Sequence, residues 1–544
     1  MNVRLIILNR NILLGLILSL ALFLRLWMLG SLPPSLSWDE VSTGYNAYSI
    51  LQTGKDEWGF KYPISFRAYG DYKLPGYIYL DVPFVAMFGL NEWGVRLPSA
   101  ILGVGLVVVV FLILRKLSNN STALWGAFVT AILPWSVILS RIALEAHLAL
   151  FSTTLATYFF LIGLKKQRML LLSSLFFGLS LLSYNSSRVV TPSLVILLSF
   201  FFWADLKKNI KSLMIAGVIF LSFLIVILPH AFLQDSSARY RWTAILDEGA
   251  INRINELRGG STLSPTLSLL VYNKVTFFIP EFTKSYLSHF SPSFLFINGG
   301  SHFQFSVPGS GLFYPITAPF LLIGLLEFWK RRERWQMFVI VWLLLSFIPA
   351  AVTRDSPHAL RSLMAIPPLI IITSFGIVRF LEHLKRFKIR LVIILVSIFL
   401  VSLIVFWQNY SINYSKNYSW SWQYGYKEAV DFIKKEEINY DKIFFTKKYG
   451  EPHEFVLFFL NSNPDKFRSD ENLIRYGKSD WFWVDRFGKY WFLNDWEVQE
   501  QAKCKVEEKC LLIASPENYP SDWEKIKKIN FIDGKGVFEI LENI

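Results

Sequence analysis

The chain has 544 residues, of which 53% are hydrophobic and only 18% are charged. A soluble protein of this size would carry about 25% charged residues, so the composition excludes an ordinary soluble enzyme and indicates many membrane spans. The net charge is +14, but the basic residues are scattered between apolar stretches instead of lying on one face. That distribution argues against a nucleic-acid partner.

About eleven apolar stretches are long enough to cross a bilayer. The first is too long for a signal peptide and lacks a small-residue cleavage site, so we expect it to remain as a membrane helix. A further apolar run, residues 74–90, is interrupted by Asp81 and Pro83, and we expect it to lie in the membrane interface. The predicted spans are residues 11–29, 96–114, 123–139, 147–164, 169–184, 189–204, 212–229, 311–329, 335–351, 362–381 and 390–407.

The distribution of Lys and Arg predicts how these spans are oriented, because cytoplasmic loops are rich in both. With a cytoplasmic N-terminus every inside loop is basic; these loops are residues 4–10, 115–116, 165–168, 207–211, 330–334 and 385–390. An odd number of spans then places the C-terminal tail outside. The long outer segments are therefore a first loop, 30–95, a central loop, 230–310, and the tail, 408–544.

The tail is expected to form a domain of its own, after a membrane module that covers residues 1–407. It begins with the repeat NYSI-NYSK-NYSW, which we interpret as a linker over residues 408–420. Alternating helix-like and strand-like patterns follow and predict a small extracytoplasmic α/β domain over residues 421–544. The only two cysteines, Cys504 and Cys510, could form one local disulfide there, but their spacing does not decide whether they pair.

The first outer loop carries two acidic residues at the start of a predicted helix. Apolar residues recur on one helical face of residues 40–52 and predict an amphipathic helix lying on the membrane. Asp39 and Glu40 stand at its beginning. Ser37-x-x-Glu40 matches a capping box, and acidic residues favour a helix N-terminus, so both acids have a structural interpretation. The pattern leaves a catalytic role for the same carboxylates open.

Four arginines lie at the outer ends of predicted spans, where the positive-inside rule predicts few. Snorkelling to lipid headgroups accounts for one or two such residues. The planar guanidinium fork matches phosphate oxygens, so a group of four suits a lipid-borne phosphate at the membrane boundary. Glu145 follows one of them by one helical turn and has an ion pair as its ordinary explanation. The arginines are Arg96, Arg141, Arg188 and Arg361.

Other polar residues of the outer loops are weaker candidates. Asp71 and Lys73 are two residues apart, which ordinarily makes a solvated pair. His302 is in the last part of the central loop, where a solvent-facing histidine is the ordinary explanation and a ligand or substrate role the alternative. The central loop is too rich in charge for a plain connector and is expected to cover the site; its charged residues include Asp235, Arg239, Arg241, Asp247, Glu248, Arg253 and Arg258.

Several motifs resemble a known class of membrane enzymes. WDEVSTGYNAYSI, and then YKLPGYIYLDVPFVAMFGLNEWGVRLPSAILGVGLVVVVFLILRKL, are similar to the first loop and second span of the GT-C glycosyltransferases. The closest groups are bacterial relatives of protein O-mannosyltransferases and of the lipid A aminoarabinose transferase. The resemblance continues through SRIALEAHLALFSTTLA and, more loosely, through HFSPSFLFINGG and SPHALRSLMAIPPL. It covers most of residues 1–380, and the tail matches only in outline.

The resemblance implies an all-α polytopic GT-C fold and a transferase that moves a sugar from a polyprenyl-phosphate donor to an acceptor hydroxyl, with inversion. The acceptor would be a protein, a lipid or a glycan, and the location a bacterial plasma membrane. Asp39 matches the general base and Glu40 its neighbour. Lys73 matches a lysine near the donor phosphate, although the K-P-P element of the family is K-L-P here. Glu145 matches the acidic residue of the second outer loop.

Combining the resemblance with the arginine pattern gives the predicted site. Asp39 and Glu40 are its catalytic candidates, with Lys73, Arg96, Arg188 and Arg361 for the donor phosphate, and Asp71, Glu145 and His302 as substrate or metal candidates. Relatives differ in whether a divalent metal is bound, and no residue pattern here requires one. The alternative function is a transporter or flippase of a lipid-linked saccharide, which would need ionisable groups inside the spans and internal repeats. The span centres hold almost no ionisable residues, which favours the transferase.

Overall fold

The structure, a computed structural model, describes residues 10–232, 242–478 and 481–543. Three charged residues of the central loop, Asp235, Arg239 and Arg241, lie outside the described residues. The chain divides into two compact units. The first comprises residues up to Arg25, Ile101–Ser140 and Glu145–Trp407, and the second comprises Leu26–Ala100, Arg141–Leu144 and Gln408–Ile544. The first outer loop therefore shares a unit with the tail, whereas the predicted boundaries grouped it with the membrane helices.

Each predicted span overlaps helix, as expected for long apolar stretches that must satisfy their backbone hydrogen bonds internally, although the predicted span 311–329 is helical only from Thr317. Proline divides the predicted span 123–139, because a proline nitrogen cannot donate a helical hydrogen bond: one helix ends at Ile132 and the next begins at Pro134. The helices up to residue 408 are α1 Arg10–Leu26, α2 Trp38–Thr53, α3 Pro75–Phe88, α4 Glu92–Leu117, α5 Asn120–Ile132, α6 Pro134–Leu139, α7 Glu145–Gly163, α8 Met169–Leu181, α9 Ser187–Phe201, α10 Trp203–Leu206, α11 Ile210–Phe232, α12 Glu248–Gly259, α13 Pro265–Val271, α14 Lys274–Ser288, α15 Thr317–Arg331, α16 Arg334–Ser346, α17 Ile348–Ala351, α18 Ile366–His383 and α19 Lys388–Gln408.

The chain is a multi-pass membrane protein. Among the described residues, six helical stretches are long and apolar enough to cross a bilayer, and two shorter apolar helices, Met169–Leu181 and Ser187–Phe201, accompany them. The total of eleven spans stays a prediction. The six stretches are Glu92–Leu117, Glu145–Gly163, Ile210–Ile227, Arg334–Ala351, Leu363–His383 and Lys385–Asn417.

The second unit contains a mixed sheet of seven strands in the order β4-β5-β6-β3-β7-β9-β8. Strand β3 is parallel to β6 and β7, and the other pairs are antiparallel. The α/β domain predicted for the tail is thus confirmed. Its strands are β3 Lys442–Thr446, β4 Ile474–Lys478, β5 Trp481–Phe487, β6 Tyr490–Leu493, β7 Cys510–Ala514, β8 Trp523–Asn530 and β9 Gly536–Asn543, and its helices are α20 Ser415–Asn417, α21 Tyr426–Glu436, α22 Pro452–Phe459, α23 Pro464–Arg468 and α24 Val498–Gln501.

Two features of the tail differ from, or complete, the sequence prediction. The segment expected to be a linker is helical, since Asn409–Tyr414 and Ser415–Asn417 continue α19 without a break. Cys504 and Cys510 form a disulfide, which answers the pairing question that their spacing left open.

The first outer loop packs on the tail inside this second unit. Helix α2 lies against α22, where Gly44 allows close approach: a Cβ atom there would lie 2.7 Å from the ring of Phe458. The Tyr45 hydroxyl donates to the carbonyl oxygen of Ser462 over 3.2 Å, and Arg468 donates to the side chains of Ser49 and Thr53. These contacts fix α2, and with it the acidic pair at its N-terminus.

Candidate active site

Helix α2 begins with the capping box that the sequence predicted. The Ser37 hydroxyl accepts from the backbone nitrogen of Glu40, and the Glu40 carboxylate accepts from the backbone nitrogen of Ser37 over 3.0 Å. Two of the N–H groups that a helix start leaves unpaired are thereby satisfied. The capping interpretation of Glu40 is correct, and Asp39, one residue earlier, takes no part in the box.

The Glu40 carboxylate is fully buried and accepts four hydrogen bonds. Two come from Arg96, whose Nε and Nη2 atoms lie 2.8 and 2.9 Å from the two carboxylate oxygens. The backbone nitrogens of Ser37 and Ala143 supply the others, over 3.0 and 3.1 Å. A buried carboxylate this completely bonded cannot take a proton from a substrate without losing a partner. Glu40 is therefore a structural anchor in this geometry.

All five N–H groups of Arg96 are used inside the protein. Besides the two bonds to Glu40, Nη1 donates to the carbonyl oxygens of Leu29 and Pro33 over 3.1 and 3.0 Å, and Nη2 donates to that of Ser35. Arginine has five donors in total, so none is left for a phosphate. The role predicted for Arg96 thus has no support in the geometry, and we assign this side chain to positioning.

Arg141 makes contacts of the same kind. Its Nη2 atom donates to the carbonyl oxygens of Trp27 and Leu32 over 2.7 and 2.8 Å, and the side chain is completely buried. Together with Arg96 it binds five carbonyl groups in the eleven residues that connect α1 to α2. A buried carbonyl group that has no backbone N–H as a partner needs another hydrogen-bond donor. This explains why arginines occupy the ends of these spans.

Asp39 is the exposed member of the acidic pair. The ammonium of Lys73 donates to the Asp39 backbone oxygen over 2.7 Å and lies 3.2 Å from the carboxylate. The Asp39 side chain is 56% exposed, against 10% for Lys73. Its carboxylate is therefore open to a substrate on one side and held by an ammonium on the other.

Lys73 is presented by a short hairpin, β1 Phe66–Ala68 and β2 Asp71–Lys73. Gly70 turns this hairpin at a φ of +66°, and a Cβ atom there would lie 2.8 Å from the Trp481 ring, so the turn requires glycine. Asp71 accepts from its neighbour's backbone nitrogen over 2.7 Å and is half-buried.

An aromatic cluster includes Trp38, the residue before Asp39 in the chain. The ring of Trp38 lies 5.9 Å from that of Tyr69. Tyr69 in turn packs edge-on against Trp481 and Trp483, with ring centroids 4.5 and 5.0 Å apart. Aromatic walls beside a few polar groups are typical of small-molecule sites.

A narrow cavity of about 10 Å³ is lined by carboxylates that the sequence analysis missed. Glu57, Glu451 and Glu454 border it together with His453, and all four side chains are buried. The Nδ1 atom of His453 lies 3.0 Å from a Glu451 oxygen. Both oxygens of Glu451 lack a hydrogen-bond partner among the described residues.

The cavity raises the pKa values of two of these carboxyl groups. Burial raises the pKa of Glu454 to about 7, against the opposing charge of Lys73. Burial, and then the charge of Glu454, raise the pKa of Glu57 well above its usual range. Because the two side chains also hydrogen-bond to each other, the pair holds a proton near neutral pH. The charge of Lys73 thus acts on Glu454 as well as on Asp39.

The remaining predicted residues belong to the first unit. Glu145 interacts electrostatically with Arg188. Arg361 donates to the Thr353 hydroxyl over 2.7 Å, and its backbone nitrogen lies 3.3 Å from His358, whose ring is 5.7 Å from that of His302. Within residues 10–232, 242–478 and 481–543, no group of three or more His, Cys, Asp or Glu side chains is arranged to hold a metal ion.

The fold is that of the GT-C membrane glycosyltransferases, as the sequence resemblance indicated. Residues 74–232 match a family described as dolichyl-phosphate-mannose-protein mannosyltransferase. The candidate mannosyltransferase YkcB of Bacillus subtilis is 27% identical over 161 residues, which is 27% of this chain and 22% of YkcB. The match thus spans about a fifth of this curated relative.

Two solved structures share the architecture. ArnT from Cupriavidus metallidurans, bound to undecaprenyl phosphate, is 11% identical with a TM-score of 0.54, over 98% of this chain and 97% of ArnT. The archaeal oligosaccharyltransferase AglB from Archaeoglobus fulgidus, in complex with an inhibitory peptide and a dolichol-phosphate, is 15% identical with a TM-score of 0.50. The second match covers 83% of this chain and 63% of AglB.

Proposed function

We propose that the chain is a glycosyltransferase that takes a sugar from a polyprenyl-phosphate donor and transfers it, with inversion, to an acceptor hydroxyl of a protein, lipid or glycan. The observation that carries the proposal is the exposed Asp39 carboxylate, held by Lys73 at the start of a rigid helix. The mannosyltransferase family match and the polyprenyl-phosphate ligands of the two structural neighbours support the donor class.

In the proposed reaction Asp39 is the general base. Its carboxylate takes the proton of the acceptor hydroxyl while the hydroxyl oxygen bonds to the anomeric carbon and the bond from that carbon to the phosphate breaks. General-base assistance of this kind contributes about 10²–10⁴-fold. The released lipid phosphate gains negative charge, which fixed cations stabilise. Lys73, Arg188 and Arg361 are the proposed cations, whereas Arg96 holds the loop that carries the base.

The proposed reaction takes place on the outer face of a plasma membrane, with the N-terminus in the cytoplasm. The basic loops support this orientation. The disulfide between Cys504 and Cys510 supports an extracytoplasmic tail, because disulfides persist mainly in oxidising compartments.

The test is sugar transfer by the purified full-length protein in liposomes, with a panel of polyprenyl-phosphate sugars and measurement of donor consumption. Asp39→Asn should lower the rate about 10²–10⁴-fold with only a small decrease in the thermal unfolding temperature, because the carboxylate is 56% exposed and Lys73 keeps its hydrogen bond to the Asp39 backbone oxygen. Asp522→Asn is the matched control, since it removes an exposed aspartate of the same unit. Full activity of Asp39→Asn would remove Asp39 as the base, and failure of every donor would reject the transferase itself.

A further inference from the structure

An apolar groove of about 500 Å³ runs between helices α1, α5, α18 and α19 of the first unit. Its wall includes Leu13 and Leu20 of α1, Trp125 and Phe128 of α5, and Leu400 of α19. The polar side chains in this wall are Ser121 and Lys388. A groove with such a wall, on helices apolar enough to lie in a bilayer, binds hydrocarbon rather than water.

The length of the groove matches one leaflet. On α19 the lining runs from Lys388 to Leu400, which is twelve residue-to-residue steps, and at 1.5 Å per step this is about 18 Å. Half of a hydrocarbon core of about 30 Å is about 15 Å. One acyl chain of a phospholipid therefore fits along the groove, whereas a polyprenyl chain is several times longer.

One end of the groove is basic. A second cavity, of about 300 Å³, is lined by Arg10, Asn11, Arg115 and Asn120, and it shares Leu124 with the apolar groove. Lys388, the first residue of α19, adds a further basic side chain to the lining of the apolar groove. Across the part of the chain that the structure describes, Arg10, Arg115 and Lys388 form no ion pair with a carboxylate.

We propose that the groove and its basic end bind an anionic phospholipid of the leaflet that faces the basic loops. The phosphate lies between the guanidinium groups of Arg10 and Arg115, which match its oxygens. One acyl chain fills the apolar groove. Basic pockets between membrane helices bind anionic headgroups by the same combination of charge and hydrocarbon contact. The proposed site shares no residue with the unit that carries Asp39, and it does not depend on the proposed transferase reaction.

The experiment measures which lipid the purified protein retains in micelles that contain phosphatidylglycerol and phosphatidylcholine in equal amounts, by native mass spectrometry. The wild-type protein should retain phosphatidylglycerol. Arg10→Gln/Arg115→Gln should weaken this preference about 30-fold, since each basic residue near a headgroup contributes about fivefold. Lys165→Gln/Lys166→Gln is the matched control, because it removes two exposed charges outside the groove and should leave the preference unchanged.

A second pair of variants tests the hydrocarbon part of the site. Leu20→Trp fills the groove and should reduce retention of any phospholipid, whereas Leu22→Trp, at an exposed position on the same helix outside the lining, should not. Ten millimolar inorganic phosphate should displace nothing, because it lacks the acyl chain. Equal retention of both lipids, or an unchanged preference in the arginine double variant, would overturn the proposal.

Discussion

The buried Glu40–Arg96 pair determines whether the loop before α2 can form. The Glu40 carboxylate accepts four hydrogen bonds and Arg96 donates five, so removing one charge leaves the other buried without its partner. Glu40→Gln should therefore lower the free energy of unfolding by about 3–5 kcal/mol. Thermal unfolding of the purified protein measures this effect, and the loss of activity should follow the loss of folded protein.

An exposed pair in the same unit serves as the control. Lys427 lies 2.5 Å from Glu92, and its side chain is 50% exposed, so Lys427→Gln should cost at most about 1 kcal/mol. A folded but inactive Glu40→Gln variant, with an unfolding temperature like the wild type, would instead assign Glu40 a catalytic role.

The cavity carboxylates predict how stability depends on pH. An unfolded glutamate titrates near 4.5, whereas the pKa of Glu454 in the folded protein is about 7. The folded protein thus binds a proton more strongly, and this group's stabilising contribution, complete below pH 4.5, is lost as the pH rises to about 7. Unfolding temperatures measured from pH 4.5 to 8 should decrease less steeply in Glu454→Gln than in the wild type.

Glu500→Gln is the control for this titration, because Glu500 is exposed on the same unit and its removal should leave the slope unchanged. Glu57 also has a raised pKa, so some of the slope should remain in Glu454→Gln. An identical slope in Glu454→Gln and the wild type would contradict the buried proton.

Individual residues of the site were predictable only where the signal is local. Ser37-x-x-Glu40 is a three-residue spacing, so the capping box could be predicted from it. The five hydrogen bonds of Arg96 go to residues up to 67 positions away in the sequence. No rule based on residue spacing predicts contacts over such a separation. Glu57 and Glu454 meet across nearly 400 residues of sequence, which is why the acidic cavity was not predicted. The dense group EPHE, residues 451–454, was its only local signal.

Among the elements, the crossing of α15 and α18 depends on two glycines. A Cβ atom on Gly376 would overlap the carbonyl oxygen of Phe320, and one on Gly324 would overlap that of Ile372. Small residues at such crossings let membrane helices approach closely. Gly376→Ala should force the helices apart and lower stability by about 1–3 kcal/mol, measured as a decrease in the thermal unfolding temperature.

Gly217 provides a matched control on α11, because a Cβ atom there would meet no described atom within 4 Å. Gly217→Ala should be neutral or stabilising, since alanine favours helix over glycine by up to about 1 kcal/mol. Equal destabilisation by both substitutions would show that loss of glycine flexibility, and not the crossing, is responsible.

The helices themselves were predictable because hydropathy is a property of consecutive residues. The positions where helices break were less predictable. The stretch 123–139 was expected to be one span, but it forms two helices divided at Pro134. The expected linker was wrong in its local structure, because the repeat of Asn, Tyr and Ser gave no apolar periodicity, yet Tyr410 and Tyr414 are buried and hold it as helix.

At the scale of the whole molecule, burial separates the membrane helices into central and peripheral ones. The apolar stretch Leu363–His383 is 89% buried inside the protein, whereas Ile210–Ile227 is 17% and Lys385–Asn417 is 22% buried. A helix that is apolar on all sides and exposed needs lipid around it. The exposed faces of these two stretches therefore require a bilayer, which agrees with the groove proposed to bind phospholipid.

The orientation of the chain in that bilayer can be tested with single cysteines, because both native cysteines are paired and leave a low background. Asp522→Cys, in the tail, should react with a membrane-impermeant maleimide on intact cells, since the basic loops place the tail outside. Lys165→Cys, in a basic loop, should react only after the cells are permeabilised. The parent protein without an added cysteine is the control. The reverse pattern would place Asp39 and the disulfide in the cytoplasm and would end the proposal of an outer-face transferase, while the folding predictions for Glu40 and Gly376 would stand.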